Sequence, residues 1–349
     1  MDIHLAHNEN PYGPGPAALE AIRAMAARGH RYPGMLATDL IATISAHHDV
    51  PTDHVLLSGG SGDVMRAAVY TYTDRLKPLV TARPSYEAPM RSAQHIGAPV
   101  VRVPLTPSLT LDTVRMAAAS VGAGLVYICS PNNPSATAVP VTALRAMMAR
   151  VVALSPRTRF LVDEAYCDYA DLEGFGTTIP LVHEYRQVIV TRTFSKIHGL
   201  AGMRVAYAIA HPETLAEFRP RHSRFSLSAL SMAAAAASLN DQQHLIEMKQ
   251  LNRDVRAGMV TGFTEAGYRV ARADANFIFV DVRRDARLFQ QACAARGIHI
   301  GRAFPPLGQW ARISVGTEDE MQHAMPVLLD VLLQHPHRAT TRDSVRPTK

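Results

Sequence analysis

The sequence predicts an α/β fold: a mostly parallel sheet covered on both faces by helices, followed by a smaller α+β unit. Three observations carry this expectation. Short apolar runs alternate with helical patterns from about residue 55 to 215, which is how a parallel sheet with two covered faces reads. Polar residues gather just after those runs, at Gly59-Gly60-Ser61, Ser85-Tyr86, Asn132-Asn133, Asp163-Glu164 and Ser195-Lys196. Function in such sheets collects at the carboxyl ends of the strands. After about residue 240 a charged helix leads into a strand, a helix, two strands and a last helix.

Taken in order, residues 1–34 form an arm rich in glycine and proline around one helix (17–28), ending at the turn Tyr32-Pro33-Gly34. Leu36, Leu40, Ile41 and Ile44 recur at helical spacing over 36–49. VLLSGGSGD (55–63) is a strand running into a glycine-rich turn, with a helix over 63–72. LKPLVTARPSY, PVVRVPL and GLVYICSPNNP read as strands, the first and third ending in turns. A helix covers 142–154. RFLVDEAY, QVIVTRTFSK and MRVAYAIA are three more strands of the buried type. The Ala- and Ser-rich run 226–239 reads as a tightly packed helix. Helices over 242–266, 286–296 and 318–333 then enclose YRVARADANFIFVDV, GIHIGRAF and ARISVGT. The expected division is an arm (1–34), a large domain (35–240), a small C-terminal domain (241–334) and a flexible basic tail (335–349).

A chain of 349 residues suits one large or two medium domains. With 19% charged and 47% hydrophobic residues, disordered, collagen-like and coiled-coil classes are excluded. Lys and Arg exceed Asp and Glu by six, but no basic stripe is interleaved with aromatics, so no nucleic-acid partner is expected. The three cysteines stand far apart without a CxxC pair, which points to a reducing, cytoplasmic compartment. No secretory signal is visible at the N-terminus. The longest low-charge run falls short of the roughly 20 residues of a membrane span. His47-His48 and His4-x-x-His7 lack a third ligand at useful spacing, so no metal site is expected.

Several residues invite chemistry. SGGSGD at 58–63 joins a strand to a helix, where glycine amides and a helix N-terminus can cradle an anion. Taken alone, the segment reads more readily as a plain tight turn. Asp163 ends an apolar strand, so its carboxylate faces either a surface salt bridge or a heterocyclic nitrogen. Lys196 follows another strand, where desolvation would make it an amine nucleophile. Arg204 could pair with a phosphate. Arg312 sits inside a strand-like run and wants an anionic partner.

Together, NENPYGP, RYP, SPNNP, DEAY, RTFSK-x-x-GLAGMR and RISVGT resemble, in order and spacing, the fold-type I pyridoxal 5'-phosphate (PLP) aminotransferases of class I/II. The branch most similar is that of the histidinol-phosphate aminotransferases. The resemblance runs from His7 to Leu333. It implies a seven-stranded large domain, PLP as cofactor, a small-molecule amino donor, a 2-oxo acid acceptor and a homodimer with shared active sites. By the same resemblance, Lys196 bonds PLP and later carries the proton between Cα and the cofactor. Asp163 pairs with the pyridine nitrogen. Tyr166 and Asn133 donate to the ring's phenolic oxygen, and Tyr86 stacks on the ring. Ser61, Gly62, Thr193, Ser195 and Arg204 hold the phosphate, with Tyr32 reaching in from the neighbouring subunit. Arg312, Asn10 and Arg302 are the substrate-binding expectations, although Gly301 competes with Arg302 for its place.

Three departures from the family pattern stand out. Asn133-Pro134-Ser135-Ala136 replaces NPTG, and alanine takes a positive φ less cheaply than glycine, so a shifted loop is expected. Ala206 stands where a glycine is usual, and Gly60-Ser61-Gly62-Asp63 replaces Gly-Ala-Asp-Glu. His7, His198 and His299 read as ordinary polar packing. Decarboxylation or elimination on the same fold is the rival reading. A PLP-sensing regulator is the remote one, and no helix-turn-helix pattern precedes the arm.

Overall fold

The computed structural model describes residues 2–222 and 227–334; the tail expected at 335–349 lies outside the described residues. Its strands are β1 (Ile3–Leu5), β2 (Val55–Ser58), β3 (Leu79–Arg83), β4 (Val100–Pro104), β5 (Leu125–Cys129), β6 (Arg159–Asp163), β7 (Val188–Thr193), β8 (Ala206–Ala210), β9 (Phe277–Asp281), β10 (Ile298–Ile300) and β11 (Trp310–Ser314).

Seven of them form the central sheet in the order β2-β8-β7-β6-β5-β3-β4. Only β8 is reversed, pairing antiparallel with β2 and β7. The α/β expectation therefore holds. Period-two alternation explains why both faces are covered. Val126, Ile128, Phe160, Val162, Val188 and Val190 point into one buried cluster. Leu125, Tyr127, Leu161 and Ile189, their immediate neighbours, point into another on the opposite face. The reversal of β8 matters for function: its first residues lie at the same edge as the last residues of β2, β6 and β7. Arg204, just ahead of β8, thereby joins the polar residues that follow the other strands.

Helix Ala229–Asn240 fulfils the expectation for the Ala-rich run and packs on helices Pro16–Ala26 and Leu36–His48. Its Ala234 and Ala235 are fully buried. The Ser228 hydroxyl caps it by accepting from the Ser231 amide at 3.1 Å, satisfying one of the unpaired amides of its first turn. Helices Ala88–His95, Thr113–Ala119 and Pro212–Phe218 were not expected; they are too short to show a period over a window of about 11 residues or more.

Beyond the sheet, β9 and β11 pair antiparallel, whereas β1 pairs parallel with β10. Ile3 and Leu5 consequently share a core with Phe263, Ile278, Val280, Phe289 and Ile300. The start of the chain is stitched into its C-terminal part. No helix among the described residues is long and apolar enough to cross a membrane.

Candidate active site

The turn after β2 is shaped for an anion. Gly60 takes φ 110°, a conformation open to glycine, and a Cβ there would overlap the Arg204 guanidinium. Helix Ser61–Tyr72 begins at the next residue, so the Ser61 and Gly62 amides belong to its unpaired first turn. Arg204, itself left-handed at φ 53°, donates to the Ala201 carbonyl at 2.9 Å and approaches the Ser195 hydroxyl at 3.4 Å. Thr193 Oγ1 donates to Ser195 Oγ at 2.9 Å. A guanidinium, two hydroxyls and free amides thus converge where β2, β7 and β8 meet.

Asp163 closes β6, and its side chain is buried. Oδ2 accepts from the Tyr127 hydroxyl at 2.8 Å, and Oδ1 from the Ala165 amide at 3.2 Å. Among the described residues it makes no salt bridge, so the surface-pair reading is set aside. Burial lifts its pKa to about 6, against the pull of the Tyr127 and Ala165 hydrogen bonds. Lys196 attracts this carboxylate only from beyond salt-bridge distance, and a buried carboxylate without a contacting cation is costly unless one arrives.

Lys196 follows β7. Its Nζ donates to the Asn8 carbonyl at 2.9 Å and the His7 carbonyl at 3.2 Å, and lies 5.6 Å from the Tyr166 ring centre. Burial, helped by the Arg312 charge and resisted by Glu9 and Asp163, lowers its pKa to about 8. The Tyr166 hydroxyl accepts from Asn8 Nδ2 at 3.2 Å and Asn133 Nδ2 at 3.3 Å; burial raises its pKa. Arg312 Nη1 donates to Asn133 Oδ1 and Nη2 to the Ala6 carbonyl, both at 2.6 Å. Its Nε is buried without an acceptor. A cavity of about 400 Å³ opens beside this group, lined by Tyr86, Glu87, Arg91, Asn133, Arg302, Phe304 and Arg312 among others.

Two expected residues fall elsewhere. Asn10 donates to the Ile197 carbonyl at 2.9 Å and accepts from the Tyr12 amide at 3.1 Å, so it braces the loop after Lys196. Tyr32 is 99% exposed on the turn after the first helix. Arg302 lies at the cavity with its Nη2 2.8 Å from Glu87 Oε1. Ala136 adopts φ 63° itself, and the turn closes through its amide to the Asn132 carbonyl at 2.8 Å. The backbone absorbs the unfavourable conformation there, and the Asn133 side chain is held by Tyr166 and Arg312. Buried His198, with Nδ1 2.7 Å from Ser238 Oγ, is polar packing, and burial holds its pKa near 4. Sequence reasoning missed Asn8, Tyr127, Glu87 and Phe304. Tyr127 shares with Cys129 the strand face that meets Asp163, but inside the apolar run LVYIC it reads as a core residue.

The family described as aminotransferase class I and II matches residues 1–328. The chain belongs to this family. A histidinol-phosphate aminotransferase of Symbiobacterium thermophilum is 35% identical over 93% of this chain and 89% of its own length. An aromatic amino acid aminotransferase of Thermobifida fusca is 32% identical over 90% and 86%. The solved histidinol-phosphate aminotransferase of Sinorhizobium meliloti, in complex with PLP, superposes with a TM-score of 0.88 at 28% identity, covering 96% of this chain and 91% of that one. The protein is a PLP-dependent aminotransferase.

Its residues fit that cofactor. The donors around Gly60 suit a phosphate, and the unpaired Asp163 carboxylate suits a protonated ring nitrogen. The Lys196 amine, with its lowered pKa, suits an aldehyde carbon. Tyr86 and Tyr166 offer an aromatic face and a phenol.

Proposed function

We propose that this aminotransferase moves an amino group from a donor carrying a phosphate beside a flat ring, histidinol phosphate being the first candidate, to a 2-oxo acid. One observation carries the reading: three arginines, Arg91, Arg302 and Arg312, share one cavity with the rings of Tyr86 and Phe304. PLP, when bound, supplies an aldehyde carbon and a ring that accepts electron density from the substrate Cα. Lys196 would hold the cofactor at that carbon, and its free Nζ would carry the proton from Cα. Asp163 keeps the ring nitrogen protonated. Tyr166 and Asn133 hold the phenolic oxygen. Ser61, Gly62, Thr193, Ser195 and Arg204 hold the phosphate. Arg312 would orient the substrate's anion bidentately, and Arg302 would serve a distal anion where a ligand, such as a dicarboxylic 2-oxo acid, carries a second one.

We further propose an arm (1–34), a PLP-binding domain (35–240) and a small domain (241–334), working as a homodimer in the cytoplasm. All three cysteines are buried and free, which supports a reducing compartment. The full exposure of the Tyr32 ring supports a role for it toward a second subunit. Mixing inactive Lys196→Ala with inactive Tyr32→Phe protein should then restore some activity, and no restoration after confirmed subunit exchange removes the shared site.

The deciding experiment is the near-visible spectrum of the purified holoenzyme against a panel of amines. Bleaching of the yellow band by histidinol phosphate, with parallel double-reciprocal lines against 2-oxo acid, supports the reading. Bleaching by phenylalanine or tyrosine instead favours the second reading, an aromatic amino acid donor, for which Arg312 and the Phe304 ring already suffice. A band that no amine bleaches moves the reaction toward decarboxylation or elimination.

A further inference from the structure

Glu87 directly follows Tyr86 and stands at the N-terminal end of helix Ala88–His95, yet its side chain does not cap that helix. Instead its carboxylate spans two guanidiniums. Oε1 lies 2.8 Å from Arg302 Nη2, and Oε2 2.6 Å from Arg91 Nη2. Arg302 comes from the loop after β10, so the contact joins opposite walls of the cavity. The Arg302 guanidinium also sits 4.4 Å from the centre of the Phe304 ring, and that of Arg312 sits 5.0 Å from the same centre. The second arginine of the cavity is therefore already matched to an anion supplied by the chain itself.

We infer that Glu87 is an internal counter-anion that sets substrate specificity: it neutralises Arg302 and Arg91 for ligands with an uncharged side chain and yields them to ligands with a second anionic group. The need for such a device follows from the reaction. One cavity must accept an amino donor and a 2-oxo acid in turn, and these differ in distal charge. Arg302 is half exposed in the open cavity, and an uncharged side chain seated against it would strip water from a cation and offer no partner in return. With Glu87 in place, the uncharged ligand meets a closed ion pair and the Phe304 ring. An anionic ligand replaces one carboxylate by another at Arg302, and Glu87, 29% exposed at its side chain, can turn to water and to Arg91. This inference rests on the reading that the cavity receives the substrate, and it is independent of which donor is used.

The test uses the PLP-loaded enzyme and two unreactive ligands. Glutarate carries two carboxylates; 3-phenylpropionate carries one carboxylate and a neutral ring. Dissociation constants are read from the cofactor absorbance and by calorimetry. Glu87→Gln should bind glutarate about tenfold more tightly, because the internal competitor is gone, and 3-phenylpropionate within about twofold of the parent. In an Arg302→Gln background the gain should vanish. The inference is overturned if both ligands weaken together, which would make Glu87 a brace between the cavity walls, if both tighten together, or if glutarate is unaffected. Failure of histidinol phosphate as a donor would remove the donor assignment and leave these glutarate results standing.

Discussion

Replacing Asp163 by asparagine should move stability and cofactor affinity in opposite directions. Folding of the cofactor-free chain raises this carboxyl from its ordinary 3.8 to about 6, chiefly by burial. Between those values the folded chain binds more protons than the unfolded one, so its stability falls as pH rises and the full penalty stands above about pH 6. Two pH units correspond to about 3 kcal/mol. Asparagine can accept from the Ala165 amide through Oδ1 and donate through Nδ2 to the Tyr127 hydroxyl oxygen, at the two positions where the carboxylate accepts, but it cannot ionise. At pH 8 the cofactor-free Asp163→Asn protein should therefore be about 2–3 kcal/mol more stable than the parent, with the gap closing toward pH 4. PLP binding should weaken about 100-fold or more, because the variant leaves the ring nitrogen's proton without a buried counter-charge. Urea unfolding at fixed protein concentration measures the first effect, and absorbance titration with PLP the second. A variant no more stable than the parent at pH 8 refutes the burial argument, and one that binds PLP as tightly refutes the assignment of Asp163.

Three further outcomes are expected. The rate at which the cofactor-free protein captures PLP should rise with pH and reach half its maximum near the Lys196 pKa of about 8, as stopped-flow absorbance can follow; a midpoint near 10.5 would contradict the buried amine. Arg312→Lys replaces a fork that reaches both Asn133 and Ala6 with a point charge, so KM for anionic donors should rise about 10- to 100-fold with a smaller change in kcat. Gly60→Ala places a Cβ against the Arg204 guanidinium at φ 110°, and should weaken PLP binding at least about tenfold and lower stability by about 1–3 kcal/mol; unchanged PLP affinity in a titration would dissociate Arg204 from the phosphate.

The sheet was legible because its strands are buried on both faces, which leaves apolar runs such as LVYIC and VIVT without polar interruption. The edge chemistry was legible for the complementary reason. Asp163, Ser195 and Lys196 break those runs where a strand ends, and a polar residue there needs a purpose. Asn8 opens the NENPYGP segment, but its role was not legible because it arises from partners 158 and 306 positions away, Tyr166 and Ser314, which leave no periodicity. Tyr127 hid inside a strand as an apparent core residue. Glu87 and Phe304 lie where the chain is irregular, and the Arg302–Glu87 contact joins residues 215 positions apart, which leaves no periodicity to read. The departure at Ala136 predicts a shifted loop because glycine is the easier residue at positive φ; the chain accepts an alanine at 63° there.

Asn8 explains why the site cannot be assigned to any one part of the fold. Its amide donates to Ser314 Oγ at the end of β11, and the same hydroxyl donates back to Asn8 Oδ1, both at 2.9 Å. Asn276 Nδ2 and Lys196 Nζ share its carbonyl, at 3.0 and 2.9 Å. Its Nδ2 reaches the Tyr166 hydroxyl. One residue near the N-terminus, left-handed at φ 55°, thus ties the nucleophilic amine of the large sheet to the C-terminal strands. Gly199 adds a second tie, since a Cβ there would overlap the backbone of Gly13, so arm and lysine loop touch without room for a side chain. The environment that lowers the Lys196 pKa is therefore completed only when β1 has paired with β10 and drawn the arm across the sheet edge. Removing residues 1–9 would expose the amine to water on that side and return its pKa toward 10.5, while leaving the central sheet's own pairing intact.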